Sequence, residues 1–326
     1  MSGKPEEPFR TAPLTFRHPV PSVGRVISPS RTKAVPGMPP AGPFLGTFAL
    51  IVLLAVGAAT APVFLGADPG YLTGLTFVMQ WVPFVTVVAL HAAFRAQGRD
   101  QAKGLSAWSL SAARVRGHGG AITRGSLLAL GALVIACIAP ILIAGSLGFV
   151  DLRWADGAAT AVALTLPVAV LFMIPVAGEE LAWRGYLTTL LSPRGFATTT
   201  AVIAVLWAVW HLPLTLAYAV AGDLAPRDVV SKTVDLLLAA VLVSALRYLS
   251  SSVWPAVFAH ALFNNLFQMA QYNFMTPLSE LPEGSYWGYM AVSWATWIVI
   301  DAILVLAVFR STRGRLRPAF GRTHDR

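Results

Sequence analysis

Eight stretches of roughly twenty apolar residues run through this chain, each about the length a helix needs to cross a bilayer. They are Pro43–Leu65, Tyr71–Ala93, Gly125–Leu147, Ala158–Ala177, Phe196–Val220, Val229–Leu249, Val253–Tyr272 and Tyr286–Phe309. In hydrocarbon the backbone must satisfy its own hydrogen bonds, and a helix does so within one segment. The fold class that follows is all-α, a polytopic membrane bundle of about eight transmembrane helices. Charge content agrees with this. Only 12% of the residues are charged and 56% are hydrophobic, whereas soluble domains carry about twice that charged share.

Residues 1–41 contain many prolines and several arginines but no apolar run. They lack the short apolar core of a signal peptide and are expected to be a disordered basic tail. Residues 42–310 form the transmembrane bundle, with its chemical core at about 160–272, and residues 311–326 form a second basic tail. The longest gap, Phe94–Arg124, reads as a basic loop with an amphipathic stretch at Leu105–Val115. The fourth segment is expected to continue as helix beyond Ala177, through Glu179 to about Leu191. A single cysteine, Cys137, excludes an intrachain disulfide.

Lys and Arg concentrate in cytoplasmic loops. Of the 24 in this chain, the loops after the first, third, fifth and seventh segments hold only Arg153, Arg227 and Lys232. That leaves 21 on the side of the two tails, so both termini are expected in the cytoplasm of a multi-pass cell-membrane protein. The cluster Arg310, Arg313, Arg315 and Arg317 suits anionic headgroups. The net charge of +9 is read as a topology signal. Scattered charges with little aromatic interleaving argue against nucleic acid as a partner.

Ionisable residues inside apolar segments are costly and ask for a reason. The fourth segment ends Gly178-Glu179-Glu180-Leu181-Ala182-Trp183-Arg184. Glu180 and Arg184 stand four apart and share a helix face, so they can pair. Glu179, about a quarter-turn away, is left for other work. His211 lies deep in the fifth segment, four residues after Trp207. His260 and Asn264, four apart on the seventh, offer directed donors that could hold an oxyanion. Each has a plain structural reading, as a helix-end ion pair, a bonded core histidine or interhelical polar glue. Together they are the parts for activating water against a carbonyl. Asp235 and Asp301 are expected to make structural hydrogen bonds, and His91 to reach the interface.

The run Glu179-Glu180-x-x-x-Arg184, then an aromatic-x-x-x-His, then His-x-x-x-Asn resembles the signature of the CPBP intramembrane proteases. That family includes the Rce-type CAAX prenyl endopeptidases and the bacterial Abi-type proteins. Arg184-Gly185-Tyr186-Leu187 and Trp254-Pro255-Ala256 match as flanks, and the similarity covers about Leu164–Ala270. One departure is Trp207, where the family usually has Phe. The resemblance implies a helical core with a cytoplasm-facing cavity. It implies Glu179 as general base helped by His211, with His260 and Asn264 binding the oxyanion and Glu180 and Arg184 holding the site. The residues alone do not rank Glu179 above Glu180.

No cofactor is established by these motifs. A carboxylate and two histidines can hold a divalent metal such as zinc with one position left for water. The usual zinc-protease helix, two His four apart with Glu between, is absent, and a metal-free glutamate route uses the same residues. The implied partners are the lipid bilayer and a membrane-associated protein or peptide substrate. The alternatives are a transporter or proton relay, which calls for matching halves that the sequence does not show, and an inactive scaffold of the same fold.

Overall fold

The structure is a computed structural model that describes residues 38–96, 112–115 and 117–316. The expected N-terminal tail up to residue 37, most of the amphipathic stretch at Leu105–Val115, and residues 317–326 lie outside the described residues. Those described form a helical bundle without a strand among them; a lone bridge joins Leu152 to Met275.

The helices are α1 (Ala41–Phe64), α2 (Leu72–Met79), α3 (Val82–Ala96), α4 (Gly119–Ser146), α5 (Ala158–Glu180), α6 (Gly195–Ala221), α7 (Pro226–Ser250), α8 (Trp254–Phe274) and α9 (Glu283–Thr312). All eight expected segments fall on them. Their lipid-length apolar runs explain why, and prolines inside α1, α4, α5 and α6 are tolerated because neighbouring helices re-satisfy the freed carbonyls. Large apolar side chains such as Leu54, Ile135, Leu171, Ile174, Ile298 and Ile303 point outward, uncovered by protein. That is the expected surface when lipid is the solvent.

By length and composition five helices qualify as spans, or six if the pair α2 and α3, bent by 48°, counts as one. Two features separate this number from eight. The continuous helical run Ala158–Ala221 counts once, yet at about 1.5 Å per residue it is some three times longer than a bilayer core is thick. It doubles back at Ser192–Arg194, where Gly195 takes a left-handed φ of 80° that suits glycine. Across the turn, the Thr199 hydroxyl donates to the Leu191 carbonyl at 2.9 Å. The second feature is α8, whose Asn264, Asn265, Gln268, Gln271 and Asn273 lower its apolarity. It survives because it is central, packing chiefly against α4 and α5, while α6 packs on α7 and α1 and α9 on α7 and α4.

The fourth segment does extend to Leu191, but not as uniform α-helix. Leu181–Leu187 is π-helical, a geometry found mostly as short insertions at functional sites. Beside it, Gly178 lets α5 touch the α2–α3 bend. A Cβ there would lie 2.7 Å from the Gln80 carbonyl oxygen and 2.8 Å from the Trp81 ring.

Candidate functional site

Glu180 is the hub of the charged group. Its Oε1 accepts from Arg184 Nη1 at 2.9 Å and from His260 Nδ1 at 2.9 Å. The expected ion pair is therefore present, and it recruits α8 as well. Glu180 and Arg184 are both fully buried. The Arg184 guanidinium also lies 4.5 Å above the Trp207 ring, a favourable cation–π position. Breaking such a buried pair from one side leaves an uncompensated charge, at a cost of about 3–5 kcal/mol.

Glu179 has a different environment. Trp207 Nε1–H donates to its Oε2 at 2.7 Å, so the carboxylate expected to be free has one partner on α6. Glu179 also lines a cavity of about 650 Å³, together with His211, His260 and Asn264. Glu180 and Arg184 do not line it. His211 Nδ1 lies 2.8 Å from the Trp207 carbonyl. A carbonyl can only accept, so Nδ1 carries the hydrogen and Nε2 of the neutral ring keeps its lone pair. By the same logic the Glu180 carboxylate holds a proton on His260 Nδ1. The Trp207 ring stands edge-to-face with both imidazoles, at centroid distances of 5.2 Å to His211 and 5.1 Å to His260.

All six residues expected at a site thus come together, four on the cavity wall and two behind it. Among the described residues, no three His, Cys, Asp or Glu side chains are arranged to hold a metal ion. The cavity also carries polar groups from Asp223, Asp228, Lys232, Asp235 and Gln271 beside Phe77, Phe172, Phe263 and Phe267.

The cavity runs from the charged group towards Asp223, Leu278 and Ser279, on loops at one end of the bundle. The Ser192–Gly195 turn, Ser251 and Arg313 are at the other end, the end of the tails. There Ala112, Val253 and Val257 form an apolar cover, which packs with Val176, Ala177 and Ala261 at the level of the charged group. Two hydrogen bonds fix this cover, from Val253 N–H to the Ala112 carbonyl at 2.9 Å and from Trp254 Nε1–H to the Ala113 carbonyl at 2.6 Å. The cytoplasm-facing cavity implied by the resemblance and the cytoplasmic tails implied by the basic residues therefore point to opposite ends, and the two expectations exclude each other.

Other expectations are corrected by burial. His91 does not reach an interface: it is buried and lies 3.2 Å from the Tyr186 hydroxyl. Asp235 does accept a hydrogen bond, from Trp294 Nε1 at 2.9 Å. Asp301 does not, since neither of its buried oxygens has a hydrogen-bond partner among the described residues. Two of the 21 tail-side basic residues, Arg184 and Arg247, are buried and say nothing of topology. Arg247 donates through Nε to the Arg184 carbonyl at 3.0 Å, inside the π-helical segment. Arg247 is one of those 21 by its place near a helix end, although Leu242, Val243, Ala245 and Leu246 just before it are apolar and signal burial. The four-residue spacing of Trp207 and His211 reveals a shared face but not the direction of the Trp207 N–H.

Residues 161–266 match the family described as Type II CAAX prenyl endopeptidase Rce1-like. The matched segment contains all six candidate residues and nearly coincides with the Leu164–Ala270 span of the motif resemblance. A comparison with curated proteins found no match.

Proposed function

We propose that this member of the CPBP family is an intramembrane endopeptidase that hydrolyses a peptide bond with water activated by Glu179. The observation that carries the assignment is the unequal placement of the paired glutamates. Glu180 is dry and engaged by Arg184 and His260, while Glu179 meets the cavity.

In this reading a water in the cavity gives a proton to Glu179 as its oxygen bonds to the scissile carbonyl carbon. His211, held through Nδ1, orients that water with Nε2. The carbonyl oxygen becomes an oxyanion and accepts from the Asn264 amide and from the Nε2–H of a His260 imidazolium whose Nδ1–H is held by the Glu180 carboxylate. Glu179 then returns the proton to the departing amine as the C–N bond breaks. Glu180 and Arg184 hold His260 and the Trp207 ring in place. A peptide borne by a membrane-associated protein suits the mixed apolar and polar wall. A prenylated C-terminal peptide, as in the matched family's description, is one such substrate.

The polytopic protein is placed in the cell membrane with its tail end, rich in Arg, towards the cytoplasm. Residues 1–41 and 311–326 are read as tails to the bundle of 42–310. The test is turnover of a peptide library by the purified full chain in detergent, repeated with Glu179→Gln. Removing the proton acceptor while keeping the shape is expected to lower kcat about a hundred- to ten-thousand-fold. Full turnover by Glu179→Gln would remove Glu179 from the mechanism.

A further inference from the structure

We infer that Trp207 is a positioning residue that fixes which oxygen of Glu179 faces the cavity; the inference rests on the reading of Glu179 as the base. Trp207 is fully buried and does not line the cavity, so it acts through its neighbours and not on substrate. Its indole N–H gives Glu179 Oε2 a 2.7 Å hydrogen bond. Among the described residues, no other side chain or backbone group donates to that carboxylate.

A carboxylate turns easily about its terminal bond, because that torsion has broad minima. One short bond from a rigid, buried donor changes this. It occupies Oε2 and leaves Oε1 as the oxygen that can take a proton from water. The indole cannot drift, because it is clamped on several sides. Arg184 lies over its face at 4.5 Å, and His211 and His260 meet it edge-to-face. The same ring thus sets the spacing between base and imidazoles. Phenylalanine, the usual residue at this place in the resembling family, has a similar ring and no N–H. The donor's loss can therefore be tested without emptying the pocket.

The experiment compares the purified parent, Trp207→Phe and Trp207→Leu on one peptide selected from the library assay. Trp207→Phe is expected to lower kcat about ten- to a hundredfold, the scale of a lost hydrogen bond to a charged group, with KM within about twofold. Its melting temperature should stay close to the parent's, because the ring is kept. Trp207→Leu is expected to lose melting temperature as well, through the lost ring. A Trp207→Phe variant with the parent's kcat overturns the inference. So does one whose kcat falls only in step with its melting temperature, because that is the mark of packing alone. Full activity of Glu179→Gln would instead overturn the base and this inference together. A dead Glu179→Gln beside a parent-like Trp207→Phe sinks this inference alone.

Discussion

At one end of the bundle Val253, Val257 and Ala112 close over the charged group; at the other, Asp223, Leu278 and Ser279 ring an opening. Both ends hold ionisable side chains, but in different states of company. Glu180 and Arg184 pair behind the apolar cover, and Glu180 also holds His260, whose ring reaches the cavity wall. Asp223, Asp228 and Lys232 stand beside a cavity that water can fill. The contrast explains how a membrane interior can contain reactive groups. Charges that face the closed end are paired and serve as framework. Charges that face the open end keep atoms for chemistry, and Glu179 sits where the two regimes meet.

The sharpest way to break this comparison is by access. In intact cells, an impermeant thiol reagent is expected to label Ser279→Cys and to leave Ser311→Cys untouched, in a Cys137→Ser background. Purified in detergent, Asn264→Cys on the cavity wall should react, and Val257→Cys under the cover should not. Labelling of Ser311→Cys from outside cells would invert the orientation. Reaction of Val257→Cys as fast as Asn264→Cys would mean that the cover is not closed.

The next effect concerns the closed end. Arg184→Ala leaves the Glu180 carboxylate buried with only His260 for company, and should destabilise the protein by about 3–5 kcal/mol. The double variant Glu180→Gln/Arg184→Gln is expected to lose less, since it buries no unpaired charge. Melting temperatures equal for single and double variants would show that the two residues do not depend on each other. A smaller effect is expected at the open end. Trp294→Phe removes the hydrogen bond to Asp235, and interhelical bonds in membranes are worth on average about 0.6 kcal/mol. A loss as large as that of Arg184→Ala would erase the distinction between the ends.

Much of this was legible in the sequence. Apolar length set the helices, and the four-residue spacings Glu180–Arg184 and His260–Asn264 put each pair on one face. What sequence could not carry was depth. Arg247 reads as a loop cation because it stands near a helix end, and only packing shows that it is spent on the Arg184 carbonyl. Trp207 reads as a ring because spacing reveals a face and not the direction of an N–H. Likewise, the positive-inside pattern orients the ends but is blind to which end is hollow. The π-helical turn at Leu181–Leu187 left no mark in composition either, since its hydrogen bonds shift by one residue without changing any side chain.

The reversal at Ser192–Gly195 bears on how such a chain is made. Glu179, Glu180, Arg184, Trp207 and His211 all lie on the two arms joined by that turn, so they leave the ribosome as one helical hairpin. Within it Glu180 already has Arg184 as a partner and Glu179 has Trp207. A translocation channel can therefore release the hairpin sideways into lipid with its carboxylates engaged, before α8 has been synthesised. His260 arrives later and joins a polar group whose two carboxylates each had one partner in advance. The positioning role proposed for Trp207 and this order of synthesis make the same demand of it: it must meet Glu179 early and stay there.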